Sequence, residues 1–178
     1  MKLIIASDIH GSLKYTHKLE ELIIKENPDN IILLGDLLYH GARNSLPEEY
    51  STIDVANILN KYSNKIIAVR GNCDSEVDDM VTEFPIMSDY KSINIDGTTF
   101  YLTHGHLLDK YEKLFQDNYL ISGHTHVYNL EGKHLNPGSV GIPKVNKEHT
   151  CILYSNKTFK LINLEDLSII KELPLNEE

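Results

Sequence analysis

The chain has little cysteine, no excess of positive charge and no long apolar run. Its 178 residues include two cysteines, Cys73 and Cys151, too few for a disulfide framework and typical of a reducing compartment. The formal net charge of -9 excludes a bulk basic surface for nucleic acid or anionic lipid. No segment approaches the roughly 20 apolar residues that cross a bilayer. The first apolar run, Leu3-Ile4-Ile5-Ala6, is too short for a signal peptide, so we expect a cytoplasmic protein with no membrane association.

The first half of the chain alternates between strand and helix patterns. A length of 178 residues suits a single domain over residues 1–178, with enough chain for a substantial core. Short continuous apolar runs predict buried strands at Leu3–Ala6, Ile31–Leu34 and Lys65–Val69. Helical spacing predicts one helix through Leu19 and Glu26, with Ser12 as its N-cap, and a second from Ile53 to Tyr62. This βαβαβ order implies parallel strands.

The second half is richer in strands. Asp96-Gly97 lies between two β-rich runs and predicts a hairpin. One short helix is predicted from Leu107 to Phe115. Further strands are predicted at Tyr119–Ser122, on both sides of Glu131-Gly132-Lys133, and at Thr150–Tyr154, Thr158–Asn163 and Ser168–Leu173. The predicted fold class is therefore α/β, with two packed sheets and helices outside them.

Polar residues follow five of the predicted strands, and each of these segments contains a glycine. The segments are Ser7-Asp8-Ile9-His10-Gly11, Gly35-Asp36, Gly71-Asn72-Cys73-Asp74, Thr103-His104-Gly105-His106 and Gly123-His124-Thr125-His126. Ligands of open α/β sheets bind at the carboxyl ends of the strands. Each short motif alone occurs by chance, and a single histidine after a strand is more often structural. The ordered set of five predicts a metal site.

The candidate metal ligands are carboxylate, imidazole and carboxamide groups, with no thiolate among them: Asp8, His10, Asp36, Asn72, His104, His124 and His126. This mixture suits first-row divalent ions such as manganese, iron, nickel or zinc. Seven residues exceed the four ligands of a structural zinc site, but they fill two sites if one carboxylate bridges. Asp36, alone on its loop, is the natural bridge. Two ions about 3.5–4 Å apart activate water and clamp a phosphoryl group.

The ordered motifs resemble those of the calcineurin-like metallophosphoesterase superfamily. The stretches "MKLIIASDIHGS", "GDLLYHGARNSLPE", "AVRGNCDSEVDDM", "LTHGH", "SGHTH" and "NPGSV" together resemble its YfcE-like bacterial phosphodiesterase branch. The resemblance extends through almost the whole chain. It implies a four-layer α/β/β/α sandwich of two mixed sheets, whereas the residue patterns alone gave two sheets and flanking helices.

The resemblance also assigns the ligands. It implies that Asp8, His10 and His126 hold one ion, that Asn72, His104 and His124 hold a second, and that Asp36 bridges them. Manganese is the favoured metal, with zinc, iron, nickel or magnesium as alternatives. The implied reaction is hydrolysis of a phosphate diester by a metal-bridging hydroxide, without a covalent enzyme intermediate.

Cys73 is the main departure from the superfamily pattern. Many members carry a histidine there, which is thought to protonate the leaving oxygen, although cysteine agrees with the YfcE-like branch. A thiol, with a reference pKa near 8.5, is a much weaker acid than an imidazolium near 6.5. Two other roles stay open: a nucleophilic cysteine, which would need an activating partner, and a small, partly buried structural residue. Asp74 is expected to orient the loop through backbone hydrogen bonds.

His40 and Arg43 lie in the long polar loop after Gly35-Asp36, and we expect them to contact substrate. Arginine suits bidentate recognition of phosphate, but either residue could equally be a solvated loop residue. The predicted partner is a small-molecule phosphodiester, and relatives that form oligomers suggest self-association. Two alternatives share the fold: a phosphomonoesterase using the same site, and a non-catalytic scaffold like the retromer subunit that resembles this superfamily. A scaffold would be free to lose ligands, yet every expected ligand is present.

Overall fold

The computed structural model describes residues 1–145 and 147–175, and in these residues eleven strands form two sheets. The strands are β1 Leu3–Ala6, β2 Asn30–Leu33, β3 Ile66–Ala68, β4 Tyr90–Ile95, β5 Thr98–Thr103, β6 Tyr119–Ser122, β7 Asn129–Glu131, β8 His134–Asn136, β9 Thr150–Ser155, β10 Thr158–Asn163 and β11 Ile169–Pro174. The first sheet has the order β11-β10-β9-β1-β2-β3, and the second has the order β4-β5-β6-β8-β7.

Both sheets are mixed. In the first, β1, β2 and β3 are parallel as predicted, with Ile4 opposite Ile31 and Ile31 opposite Ile66, while β9, β10 and β11 are antiparallel. In the second, β5, β6 and β8 are parallel and the hairpins at Asp96-Gly97 and Gly132 supply antiparallel neighbours. All four residues of β1 are buried, because helices cover one face of its sheet and the second sheet covers the other.

The α-helices in the described residues are α1 Leu13–Glu26, α2 Thr52–Asn60, α3 Glu76–Asp79 and α4 Glu112–Phe115. Helix α1 buries Leu19, Leu22 and Ile23 and ends at Asn27, whose left-handed φ of 44° precedes Pro28. Ser12 occupies the N-cap position as predicted, but its side chain makes no capping hydrogen bond. The carbonyl of Ser12 accepts the Thr16 hydroxyl instead, at 2.6 Å.

Apolar residues form two cores on either side of the first sheet. One lies beneath α1 and α2 and includes Ile4, Leu19 and Val55. The other lies between the sheets and includes Ile5, Phe100 and Ile121. The predicted helix 107–115 is instead a 3-10 turn, Asp109–Tyr111, followed by α4, so the outer layer over the second sheet is thin. None of the helices in the described segments has the length and hydrophobicity needed to cross a membrane.

Candidate metal centre

The seven predicted ligands meet where the two sheets face each other at their carboxyl ends. Asp8 and His10 follow β1, Asp36 follows β2, and Asn72 follows β3 in the first sheet. The second sheet supplies the other three, with His104 after β5 and His124 and His126 after β6. These segments, which are far apart in the sequence, therefore meet at the carboxyl ends of the strands, as the predicted parallel arrangement implied.

One group of ligands consists of Asp8, His10 and His126. Asp8 Oδ1 lies 3.3 Å from Nε2 of His126 and 3.7 Å from Nε2 of His10. The Nδ1–H of His10 donates to the Tyr39 carbonyl at 2.8 Å, and Nδ1 of His126 bonds to the Ile142 carbonyl. A histidine that donates through Nδ1 keeps the Nε2 lone pair for a metal.

A second group surrounds His104. Its Nδ1–H donates to the Leu34 carbonyl at 2.7 Å. Its Nε2 lies 3.2 Å from Asn72 Oδ1 and 3.2 Å from His124 Nδ1. The carboxamide oxygen of Asn72 and one nitrogen from each histidine therefore face a common point.

Asp36 lies between the two groups. Its Oδ2 is 3.4 Å from Nε2 of His104 and 3.6 Å from Nε2 of His10. Its Oδ1 accepts the backbone N–H of Cys73 at 2.8 Å, which fixes the carboxylate orientation. Asp36 thus reaches a histidine of each group with one oxygen, which is the placement a bridging carboxylate needs, although Asp8 Oδ1 also lies 3.9 Å from Nε2 of His104.

The centre is built to hold positive charge. Asp8 Oδ2 accepts from Ser7 Oγ at 2.6 Å and from the His124 N–H at 2.9 Å. Asp8 Oδ1, in contrast, is buried without a hydrogen-bond partner in the described part of the chain. A buried carboxylate oxygen without a partner is costly, and a divalent cation among the facing histidine nitrogens would satisfy it. The donor set therefore fits a metal.

The pKa of His104 is shifted by burial and by the negative charge of the nearby carboxylates. Burial lowers this pKa, but the bond to Asp36 and the charges of Asp8 and Asp36 outweigh burial and raise it to about 9. The pKa of Asp36 moves the other way: burial raises it, but the bond and charge of His104 dominate and hold it well below its usual range. The two carboxylates stabilise positive charge at the centre.

Five of the seven ligands adopt left-handed backbone conformations. The φ angles are 55° at Asp8, 51° at His10, 53° at Asp36, 70° at His124 and 59° at His126. Residues other than glycine seldom adopt positive φ, and such backbone strain clusters at functional sites. The residue patterns did not indicate these conformations, which the contacts between the five loops impose.

Asp74 orients its own loop through a backbone hydrogen bond, as predicted, and it also joins this third loop to the second. Its carboxylate accepts backbone N–H groups from Asp36 at 2.8 Å, Leu37 at 2.8 Å and Gly71 at 2.7 Å. Gly71 permits this approach, because a Cβ there would lie 2.0 Å from Asp36 Oδ1. The glycine and the carboxylate together place Asp36 and Asn72 side by side.

Sequence reasoning missed a second support, in the loop between β8 and β9. Ser139 Oγ donates to the Asp8 carbonyl at 2.8 Å and accepts the Ile142 N–H at 2.8 Å. Ser139 lies in the NPGSV stretch, which indicated the family resemblance but no role in the site. The same loop brings Lys144 to the cleft beside the ligands, and a lone lysine outside any motif gave no reason to select it.

The ligands open into a cleft of about 1090 Å³, which is lined by Arg43, Cys73 and Lys144 among others. His40 is not among the lining residues; its ring packs edge-on against Tyr39 and Tyr50. Cys73 Sγ accepts from Asn72 Nδ2 at 3.2 Å. Burial, with the charge of Asp36, raises the pKa of the Cys73 thiol to about 12, which disfavours a thiolate nucleophile.

Comparison with known proteins shows to which family the chain belongs. The family model described as the calcineurin-like phosphoesterase superfamily domain matches residues 1–158. The chain belongs to this family, as the motifs predicted. It is 43% identical over 182 aligned positions to phosphodiesterase YfcE of Escherichia coli, covering 99% of each chain. A solved structure of YfcE, described as a phosphoesterase, has a TM-score of 0.90 and covers 99% of this chain and 100% of its own.

Two other relatives are more distant. Phosphodiesterase MJ0936 of Methanocaldococcus jannaschii is 29% identical over 135 residues, covering 71% of this chain and 74% of its own. The Zn²⁺ complex of Vps29 from Entamoeba histolytica has a TM-score of 0.59 at 21% identity, covering 99% of this chain and 100% of its own. This likeness supports a shared fold and no shared function. The predicted fold of two mixed sheets flanked by helices is confirmed.

Proposed function

We propose that this protein is a metal-dependent phosphodiesterase. The observation that carries the proposal is the buried, unpartnered Asp8 oxygen facing histidine nitrogens, within a complete set of seven ligands. YfcE, which is 43% identical over nearly the full length, is named a phosphodiesterase, and so is MJ0936. We place the activity in one domain spanning residues 1–178.

The finer proposal is a centre of two divalent ions that share Asp36. Asp8, His10 and His126 would hold one ion, and Asn72, His104 and His124 the other. We favour manganese, and the same donors suit zinc, iron, nickel or magnesium. When bound, such a pair lowers the pKa of water and neutralises charge on phosphoryl oxygens.

The chain's own residues complete the reaction site. The Nδ1 bonds of His10 and His104 to carbonyls fix the two rings, so the ligands need little rearrangement. Arg43 lines the cleft and would orient a phosphate oxygen. His40 would act with it in substrate contact, a prediction for which the cleft surface offers no support. Cys73 would leave the departing oxygen without a strong acid.

Two alternative functions share the fold. A phosphomonoesterase would share every ligand and differ in the loops around the cleft. A scaffold would need no ligands, which the intact set of seven disfavours. We further propose that the protein is cytoplasmic, that its substrate is a small-molecule diester, and that it has no bulk surface for nucleic acid. We also propose that it self-associates, which light scattering at micromolar concentration would test.

The deciding experiment is a panel of aryl diesters, cyclic nucleotides and monoesters assayed with added manganese. We expect diester hydrolysis that chelation abolishes. Asp36→Asn weakens the shared negative charge and should lower turnover by about 10²-fold or more while the circular dichroism spectrum stays unchanged. Equal rates for chelated and manganese-loaded protein would refute the proposed function.

A further inference from the structure

The cleft beside the ligands has an apolar wall. Eleven large apolar side chains are exposed in the described residues, and four of them, Tyr39, Ile53, Val77 and Val81, line this one cleft. Val77 is 69% exposed and Ile53 is 56% exposed. Exposed apolar groups scattered singly need no explanation, but a cluster bordering a polar cleft marks a binding surface.

The wall is assembled from separate elements. Ile53 lies in the first turn of α2, Val77 lies in α3, and Val81 follows α3. The large exposed areas of Ile53 and Val77 mean that neither side chain belongs to the two buried cores. Core packing therefore does not account for apolar residues at these positions.

The same cleft holds the chemistry for a phosphate. Candidate ligands Asp36, Asn72 and His124 line it, together with the cationic residues Arg43 and Lys144. Its volume of about 1090 Å³ slightly exceeds the roughly 300–1,000 Å³ typical of small-molecule sites. A phosphate group alone would leave most of that space unfilled, and the apolar wall borders the remainder.

We propose that Ile53, Val77 and Val81 bind an apolar or aromatic ester group of the substrate, so that they determine specificity. The proposal rests on the proposed function, because the phosphate attached to that group would lie at the ligand cluster. It assigns the substrate class as phosphodiesters with at least one planar or apolar ester group. Diesters with two small polar ester groups would gain nothing from the wall.

The test compares phenylphosphonate with methylphosphonate, which differ only in the apolar group. Binding to the manganese-loaded protein is measured by calorimetry, so hydrolysis is not needed. We expect phenylphosphonate to bind roughly tenfold more tightly, as burial of part of a ring predicts. In the double variant Ile53→Gln/Val77→Gln the preference should fall to about twofold. Glutamine retains helix propensity at both positions.

The matched control is Ile24→Gln/Ile169→Gln, which removes two apolar residues outside the cleft that are 68% and 50% exposed. It should keep the full preference, and both variants should keep the manganese content of the parent. Equal affinities for the two phosphonates in the parent would overturn the proposal, as would a preference unchanged in the Ile53→Gln/Val77→Gln variant. If the parent self-associates and only this variant dissociates in light scattering, the wall is an interface between copies and the proposal fails.

Hydrolysis separates this proposal from the proposed function. With bis(4-nitrophenyl) phosphate, the Ile53→Gln/Val77→Gln variant should show a several-fold higher KM at similar kcat, because the wall supplies binding and not chemistry. The parent protein could prefer phenylphosphonate and yet show no metal-dependent hydrolysis. That result would refute the proposed function but not the proposed apolar binding site.

Discussion

Cys73 lies beside the candidate metal ligands and is proposed to alter the chemistry that they support. Its backbone N–H orients Asp36 at 2.8 Å, and its side chain lines the cleft. The raised pKa of its thiol, about 12, makes it a poorer acid at neutral pH than a free thiol. A leaving oxygen that needs a proton would gain little from this group.

Replacing Cys73 therefore predicts a change in leaving-group preference. General acid catalysis contributes about 10²–10⁴-fold, most for poor leaving groups. Cys73→His should raise the turnover of alkyl diesters more than that of aryl diesters, whose leaving groups need little protonation. Steady-state rates of parent and variant on one aryl and one alkyl diester measure the ratio.

Cys73→Ala is the companion variant. It should cost little on either substrate, since the protein is proposed to use no thiolate nucleophile. Loss of turnover in Cys73→Ala, with the full metal content retained, would show that the thiol takes a direct part in the reaction.

Arg43 is predicted to contact substrate and not the metal ligands. It is exposed and lines the cleft. Arg43→Ala should lower kcat/KM by about 10–100-fold, the usual cost of losing a hydrogen bond to a charged group, with metal content unchanged. Lys25→Ala, which removes an exposed cation from α1, is the control for net charge. Normal kinetics in Arg43→Ala would make Arg43 a solvated loop residue.

At the scale of elements, Asp74 links the loops that follow β2 and β3. Asp74→Ala would leave three backbone N–H groups without an acceptor, at a cost of about 1–3 kcal/mol each before water compensates. We expect a loss of about 3 kcal/mol in the free energy of unfolding, together with weaker metal binding. Urea unfolding of chelated protein measures the first and metal titration the second.

Asp54→Ala provides the comparison for Asp74→Ala. Asp54 is also a carboxylate that accepts a hydrogen bond, from Ser51 Oγ at 2.6 Å, but it is exposed. Its replacement should cost about 1 kcal/mol or less. A cost for Asp74→Ala no greater than that for Asp54→Ala would mean that the loops keep their arrangement without the shared carboxylate.

Elements with strong local patterns were predicted well, and those fixed by distant contacts were not. Buried apolar runs located β1 and β2, and Asp96-Gly97 located the β4–β5 hairpin, because each depends on a few neighbouring residues. Helix α3 was missed since it has four residues and no buried face. The convergence of the seven candidate ligands was predicted from residue types after strands, whereas the left-handed backbone conformations of five of them depend on loops far apart in sequence.

At the scale of the whole molecule, the candidate metal ligands come from both sheets, which matters for the stability of the fold. Asp8, His10, Asp36 and Asn72 follow strands of the first sheet, and His104, His124 and His126 follow strands of the second. Direct contacts already join these residues across the two sheets, among them the His124 N–H to Asp8 Oδ2 bond at 2.9 Å and the 3.2 Å contact between His104 Nε2 and Asn72 Oδ1. An ion held by residues of both sheets would add to these contacts and to the apolar core between the sheets.

Metal should accordingly stabilise the entire fold. A ligand that binds only the native state adds about 2.7 kcal/mol at a concentration of 100 times its Kd. For a chain of this size, each kcal/mol raises Tm by about 2–4 °C. Titrating chelated protein with manganese should therefore raise Tm by about 5–10 °C for each site filled, and Asp36→Asn should show a smaller rise, because both proposed sites share that carboxylate.

Since Asp8 and His126 follow strands of different sheets, stabilisation should be cooperative, with a single thermal transition at every manganese concentration. A Tm independent of manganese, in protein that calorimetry shows to bind the ion, would mean that the unfolded chain binds manganese as tightly as the native state does, and would contradict a site that only the folded arrangement of the loops creates.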